Sequence, residues 1–418
     1  MIQPVRGQNP QLGYFFRGAS RVVQPRTLCG IGRFLLGILF AAFDRSVAGI
    51  RDAIADAPTA AALREFLRSK ALTPKLARLL DWKTRQLIRK ALRCPKNRRG
   101  SIIFAIDSTF KGTLSRLARH LFSLGKGDRV GNHIFVWGVL VFPDGRRLPL
   151  RPRLKRSGRR SATQVDLAAA LVRDLAVSLR GYPVAVVADS FFFSRKLLRA
   201  IRTAKFHYVL ACKGNTVLSN GADLESLRRN VRLTDSCVTL PAARGERSKT
   251  FSAARRVLAL RCGGTQAVVF SRLANTPRTA VKFLVSDLVK APASELVRLY
   301  ALRWQVEVFF REAKTYLGLD QYRVTGDSAP ENFALLVALA YQFVHWRAEG
   351  TGRLVGTLTQ LKVFAAEVAA DNVAAIERGA LTRHGRKKLH EHLRRQQRPS
   401  AQKSRSAKKP RPKARKAA

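Results

Sequence analysis

The sequence predicts a mixed α/β fold, in which a sheet is covered by helices, preceded by a small helical region and followed by a β-rich stretch and further helices. Two observations predict it. Short apolar, β-branched runs (SIIFAID, IFVWGVLVF, PVAVVAD, FHYVLACK) alternate with amphipathic helical segments and turn residues over about 110 positions. Before them, residues 31–92 carry apolar side chains at helical spacing, with TAAALREFLRSK and TPKLARLLDWKTRQLIRKAL as the clearest segments.

Taken in order, residues 1–30 are rich in Gly, Pro, Gln and Arg and read as an irregular arm. The run FLLGILFAAF reads as a buried helix, because it is too short to span a bilayer and is bordered by Arg33 and Asp44. Thr59 and Thr73 suit helix N-caps. The first unit is therefore 1–95, and its cations Lys75, Arg78, Lys83, Arg85, Arg89 and Lys90 leave two readings open: recognition of DNA ends, or a plain basic helical cap. After the basic linker CPKNRRG, a strand runs to Asp107, and two strands join through a turn at Asp144 and Gly145. A helix over 164–179, a strand ending at Asp189, a helix capped by Ser194 and a further strand complete a unit over 100–213. Residues 214–287 read as an all-β insertion, and 288–383 as the second part of the core with C-terminal helices. The tail, 384–418, is Lys, Arg, Pro and Ser with almost nothing to bury, and is expected to be disordered.

Charge bounds the function. A formal net charge of +51 on 418 residues is self-repelling unless a polyanion neutralises it, so nucleic acid is the expected partner. The cations are spread along the chain and not gathered on one amphipathic segment, which argues against a membrane role. Five scattered cysteines form no metal-ligand spacing and imply a reducing compartment.

Tyr300, Arg303, Glu307 and Lys314 fall at spacings of three, four and seven in YALRWQVEVFFREAKTYLGL. On one helix they would share an arc of about 60°, with Ser294 as N-cap and Gly318 as the stop. Leu299, Leu302, Val306, Phe309, Phe310, Ala313 and Leu317 form the adjoining apolar stripe. A solvated face with i,i+4 pairing and an acid set among phosphate-binding groups are both open readings of that arc. Asp107 and Asp189 each end a buried strand run, where ligands meet an open α/β sheet. Each also suits a turn or cap, although Ser194 leaves Asp189 free of the latter duty. Converging with Glu307, the two aspartates would suit Mg²⁺, or Mn²⁺ in its place, and two such ions promote in-line phosphoryl transfer.

The segments AIDST, VVADSFFFSRKLLRAI and YALRWQVEVFFREAKTYLGLDQYRV resemble the catalytic blocks of insertion-sequence DDE transposases, in the subgroup marked by Tyr-x2-Arg-x3-Glu-x6-Lys. The resemblance spans roughly residues 101–346. It implies an RNase H-like core interrupted by the β-rich insertion, with Asp107, Asp189 and Glu307 as the metal-binding catalytic triad. Tyr300, Arg303 and Lys314 are then the residues that hold the DNA end. It further implies a bacterial, cytoplasmic and nucleoid-associated enzyme that binds terminal inverted repeats, cleaves there and joins the 3′-hydroxyl to target DNA, as a homodimer on double-stranded DNA. Trp304 stands between a stacking role and packing beside the core, and the basic loop Arg151, Arg153, Lys155, Arg156, Arg159 and Arg160 between a DNA contact and a solvated loop. Ser108 stands where some relatives carry a second Asp. The insertion holds no Trp, which leaves a hairpin step open, with Phe251, Phe270 or Phe283 as substitutes. A catalytically inactive DNA-binding derivative and an RNase H-like nuclease are the alternatives to a transposase.

Overall fold

The structure, a computed structural model, describes residues 9–41, 46–52, 58–113, 118–123, 131–233, 236–240, 248–274, 276–277, 279–350 and 356–377. The expected tail, 384–418, lies outside them. Six helices come first: α1 (Pro10–Phe15), α2 (Pro25–Phe40), α3 (Val47–Asp52), α4 (Ala60–Arg68), α5 (Leu72–Ala91) and α6 (Pro95–Arg99). Then follow β1 (Ile102–Thr113), β2 (Gly131–Val141), β3 (Arg147–Pro149), β4 (Arg153–Leu154), α7 (Gln164–Ala176), β5 (Val184–Ala188), α8 (Arg195–Thr203) and β6 (His207–Cys212). The chain continues through α9 (Leu224–Arg228), β7 (Ser236–Leu240), β8 (Lys249–Leu260), β9 (Gly264–Leu273) and β10 (Lys282–Ser286) to α10 (Ala293–Ala301), α11 (Trp304–Leu317), α12 (Ala329–Gly350) and α13 (Thr357–Glu377).

Described strands form one sheet in the order β3-β2-β1-β5-β6-β10-β9-β8-β7, with β4 added to β2. β1, β5 and β6 are mutually parallel, as their helical crossovers require, and the other pairings are antiparallel. The strands expected of an all-β insertion are present, but they extend this sheet: β10 pairs with β6, and β9, β8 and β7 follow outward. The apolar face of such a hairpin array needs a cover, and α10 provides it by lying across β5, β6, β8, β9 and β10.

Strand pleating divides the core in two. Ile103, Ala105, Trp137, Val139, Ala185, Val187 and Val209 face a layer built from α1 to α5 and α10 to α13. Phe104, Ile106, Val136, Val186, Tyr208 and Leu210 face α7 and α8. At the centre of the first layer α12 is buried on every side from Phe333 to Val344, as befits a helix apolar all round. The N-terminal helices pack against it and share its core.

Several local expectations are corrected. The N-terminal arm is helical from Pro10, because Asn9 caps α1 by accepting from Gln11 and Leu12 amides, and Leu12, Phe15 and Val23 are buried. Lys83 is buried too: its ammonium donates to the Phe15 carbonyl and lies over the Phe15 ring, leaving Arg78, Arg85, Arg89 and Lys90 as the exposed cations of α5. Thr59 does cap α4, whereas α5 begins at Leu72 without Thr73 as its cap. The linker CPKNRRG contains α6, with Pro95 at its first turn. Ser194 caps α8, and a Thr163–Asp166 capping box opens α7, which ends at Ala176. The cysteines are all unbridged. No helix of the described residues is long and apolar enough to cross a membrane.

Candidate active site

β1 and β5 run side by side, and their last paired residues are Ile106 and Ala188. Asp107 and Asp189 are therefore the next residues on adjacent parallel strands, which lie about 4.8 Å apart. Both continue the odd-numbered rows that face the larger helical layer. β5 ends there, but β1 does not stop at Asp107 as expected, because β2 pairs with it as far as Thr113. Asp107 sits opposite Trp137 in that register, and the buried Trp137 ring packs edge-on against Phe309 of α11 at 4.9 Å. This contact sets α11 over β1 and β2.

The single helix expected between Ser294 and Gly318 is two. At Leu302 and Arg303 the amides bond to carbonyls three residues back, a tightened turn that separates α10 from α11. Leu302 is consequently exposed and leaves the apolar stripe. α10 starts after Pro292, which lacks the side chain to cap it, and Ser294 lies inside the helix. Gly318 ends α11 as expected, at φ 70°.

This turn brings Arg303 between two acids. Its Nη1 donates to Asp107 Oδ2 at 2.7 Å and its Nη2 to Glu307 Oε1, with Arg303 and Asp107 each 16% exposed. Burial pushes the Asp107 carboxyl up to about 6; the Ser108 amide, 2.8 Å from Oδ1, and Arg303 pull it down, while Asp189 and Glu307 push it up. Burial also works against the Arg303 charge, but Tyr300, Asp107 and Glu307 outweigh it and raise its pKa. Asp189 is not left free, since its Oδ1 accepts from the Phe191 amide at 3.0 Å in a local turn.

Tyr300 joins the cluster, its ring 6.0 Å from the Arg303 guanidinium and its phenol raised in pKa chiefly by burial. Lys314 does not. Its ammonium donates to the Phe110 carbonyl at 3.2 Å, three residues along β1 from Asp107, or about 10 Å at strand rise. A cation that sequence spacing missed takes a nearer place. Lys282, at the start of β10, lies 5.4 Å from the Tyr300 ring; burial and the Arg303 charge lower its pKa while Glu307 and Asp189 raise it. Only the pairing of β10 beside β6 brings it there.

Phe110, Phe191 and Trp304, each within three residues of an acid or of Arg303, are exposed. Trp304 is thus not core packing, and Lys249 lies 6.0 Å from its ring. In the basic loop Arg151, Arg153 and Arg156 pair with Asp81, Asp174 and Glu331, whereas Arg159 and Arg160 are exposed. Among the described residues no three His, Cys, Asp or Glu side chains stand close enough to hold a metal ion. The donor set of Asp107, Asp189 and Glu307 is all carboxylate oxygen, which fits Mg²⁺ or Mn²⁺ by chemistry, and Arg303 occupies two of those carboxylates.

Residues 140–343 match the family model of the transposase DDE domain. The matched span takes in Asp189, Tyr300, Arg303, Glu307 and Lys314 and begins after Asp107. No curated protein matches the chain. Among solved structures, the chain is similar to one in the cryo-EM structure of a piggyBac transposase synaptic complex with hairpin DNA. That similarity has 10% identity, covers 93% of this chain and 84% of that one, and has a TM-score of 0.47.

Proposed function

We propose that this protein is a DNA transposase that binds terminal inverted repeats, cleaves at the element ends and transfers the 3′-hydroxyl to target DNA. The observation that carries the proposal is the placement of Asp107 and Asp189 side by side on parallel strands, with Glu307 joined to Asp107 through Arg303. The transposase domain matched over 140–343 supports it, and so does the charge of +51. Strand order β3-β2-β1-β5-β6 supports an RNase H-like core, and the Tyr300, Arg303, Glu307 and Lys314 spacing supports the subgroup.

Asp107, Asp189 and Glu307 would hold two Mg²⁺ ions, or Mn²⁺ in their place, which supply an activated oxygen nucleophile and stabilise the leaving oxygen. Arg303 offers a planar fork that suits a phosphate as well as it suits two carboxylates. It can therefore exchange the acids for the backbone at the cut, beside the Tyr300 ring. Lys282 beside Tyr300 and Lys314 farther along β1 add point charges, so the DNA end is fixed by phosphate contacts that carry no sequence information. Recognition of the repeat falls to the exposed basic face of α5, and two ends brought together call for a homodimer on DNA. The setting is the bacterial cytoplasm, at the nucleoid.

Cleavage of a duplex carrying the element end tests the reading. Asp107→Ala, Asp189→Ala and Glu307→Ala should each abolish Mg²⁺-dependent cleavage and strand transfer while end binding persists. Full cleavage by any one of them would remove that residue from the site, and cleavage without strand transfer by the unaltered chain would point to a nuclease.

A further inference from the structure

α11 carries a second glutamate, Glu312, about 140° around the helix from Glu307. Its carboxylate is largely covered, 13% exposed, and faces Arg147 of β3, 14% exposed. Arg147 Nη2 donates to Glu312 Oε1 at 3.2 Å, and Nη1 lies 3.2 Å from Oε2. Tyr341 of α12, fully buried, donates its hydroxyl to the same Oε2 at 2.7 Å. The Tyr341 ring is fixed in turn, stacked on His345 at 4.3 Å and edge-on to Phe309 at 4.9 Å.

A buried ion pair contributes little net stability, since apolar residues of similar volume hold a core equally well or better. What the fork provides is a defined distance and angle between α11, β3 and α12. Among the described residues, the other polar ties from this helix and its entry turn to the sheet are Arg303 to Asp107 and Lys314 to the Phe110 carbonyl. Both of those side chains are the ones proposed to turn to DNA. Once they do, Glu312 is the polar anchor that stays.

We infer that Arg147, Glu312 and Tyr341 are positioning residues, which hold α11 so that Glu307 keeps its place over Asp107 and Asp189 when Arg303 leaves the acids. This rests on the transposase reading for its purpose, though not for the anchor itself. Four variants of the full chain test it: Glu312→Gln, Tyr341→Phe, the apolar pair Arg147→Met with Glu312→Leu, and the exchanged pair Arg147→Glu with Glu312→Arg. Three readouts are taken: thermal unfolding, hydrogen exchange of the amides over 305–311, and Mn²⁺ titration of the DNA-free protein by calorimetry.

Glu312→Gln and Tyr341→Phe should speed exchange over 305–311 and weaken Mn²⁺ binding by about tenfold, the lower end of what partners of metal ligands contribute. The apolar pair should unfold no earlier than Glu312→Gln yet still bind Mn²⁺ weakly, and the exchanged pair should recover part of the affinity. Unaltered exchange in every variant would overturn the anchor. Wild-type Mn²⁺ affinity in the apolar pair would overturn the positioning role, because packing alone would then suffice. Mn²⁺ binding that survives Asp107→Asn would instead count against the proposed metal site, and the exchange measurement would still read the anchor.

Discussion

Arg303 and Asp107 are joined at 2.7 Å across the sheet-to-helix interface, and the same guanidinium holds Glu307. One cation thus shares two of the three carboxylates with any divalent ion that enters. A charge-assisted hydrogen bond contributes about 1.5–3 kcal/mol, so its removal should shift metal affinity by on the order of tenfold. Arg303→Gln is expected to bind Mn²⁺ more tightly than the unaltered chain when no DNA is present, and to hold element ends less well. Titration with Mn²⁺ followed by electron paramagnetic resonance reads the first effect. Equal or weaker binding in the variant would mean that Arg303 does not compete for the acids.

Lys282 lies 5.4 Å from the Tyr300 ring, closer than Arg303 at 6.0 Å, and the proposed path of the DNA backbone passes it. Lys282→Met should weaken binding uniformly across DNA sequences and lower the slope of log affinity against log salt by about one. An unchanged slope would place Lys282 off the DNA.

The site was legible in the sequence to the extent that local pattern determines it. Asp107 and Asp189 each follow an apolar run of fixed parity, so their shared face could be read; their adjacency required the β1–β5 register. The Tyr300, Arg303, Glu307 and Lys314 spacing was visible, but a continuous helix was not the way it is used. The tightened turn at Leu302 and Arg303 swings Arg303 under Glu307, and Lys314 is left two turns away. Neither residue at the turn is Gly or Pro, so no local propensity marks it. Lys282 and Glu312 were invisible for a different reason: each gains its meaning from a non-local pairing, with β6 beside β10 and with β3 beneath α11. The β-rich segment was legible as strands, yet nothing in alternation tells a strand which sheet it joins.

Gly138 on β2 lies where a side chain has no room. A Cβ there would come within 2.3 Å of Cε2 and 2.8 Å of Cζ of Phe104, a ring buried on the α7 face three residues before Asp107. Gly138→Ala should therefore destabilise the fold by about 1–3 kcal/mol through overpacking. Phe104→Leu in the same chain should recover part of that loss, a coupling between neighbours that urea unfolding of the two singles and the double can measure. Additive costs would mean the ring moves aside freely.

His133 gives the fold an acid limit. It is 2% exposed, its Nε2 faces the Arg119 carbonyl at 2.8 Å and its Nδ1 the Tyr322 hydroxyl at 2.8 Å. A carbonyl only accepts, so Nε2 carries the proton and Nδ1 accepts from Tyr322; the neutral ring satisfies both partners. Burial, aided by the Lys111 and His120 charges and opposed by the Arg119 bond, lowers its pKa from 6.5 to about 4. Between those values the unfolded chain binds more protons than the folded one. The contribution is thus complete above about 6.5 and is lost as pH falls toward 4, on the order of 3 kcal/mol in all. His345, stacked on Tyr341 and lowered by desolvation to about 3, acts in the same direction. Urea midpoints should drop between pH 7 and pH 4.5, and the drop should be smaller for His133→Gln, whose amide can still donate to Arg119 but does not titrate. Parallel pH profiles for the two proteins would assign the acid sensitivity to other groups.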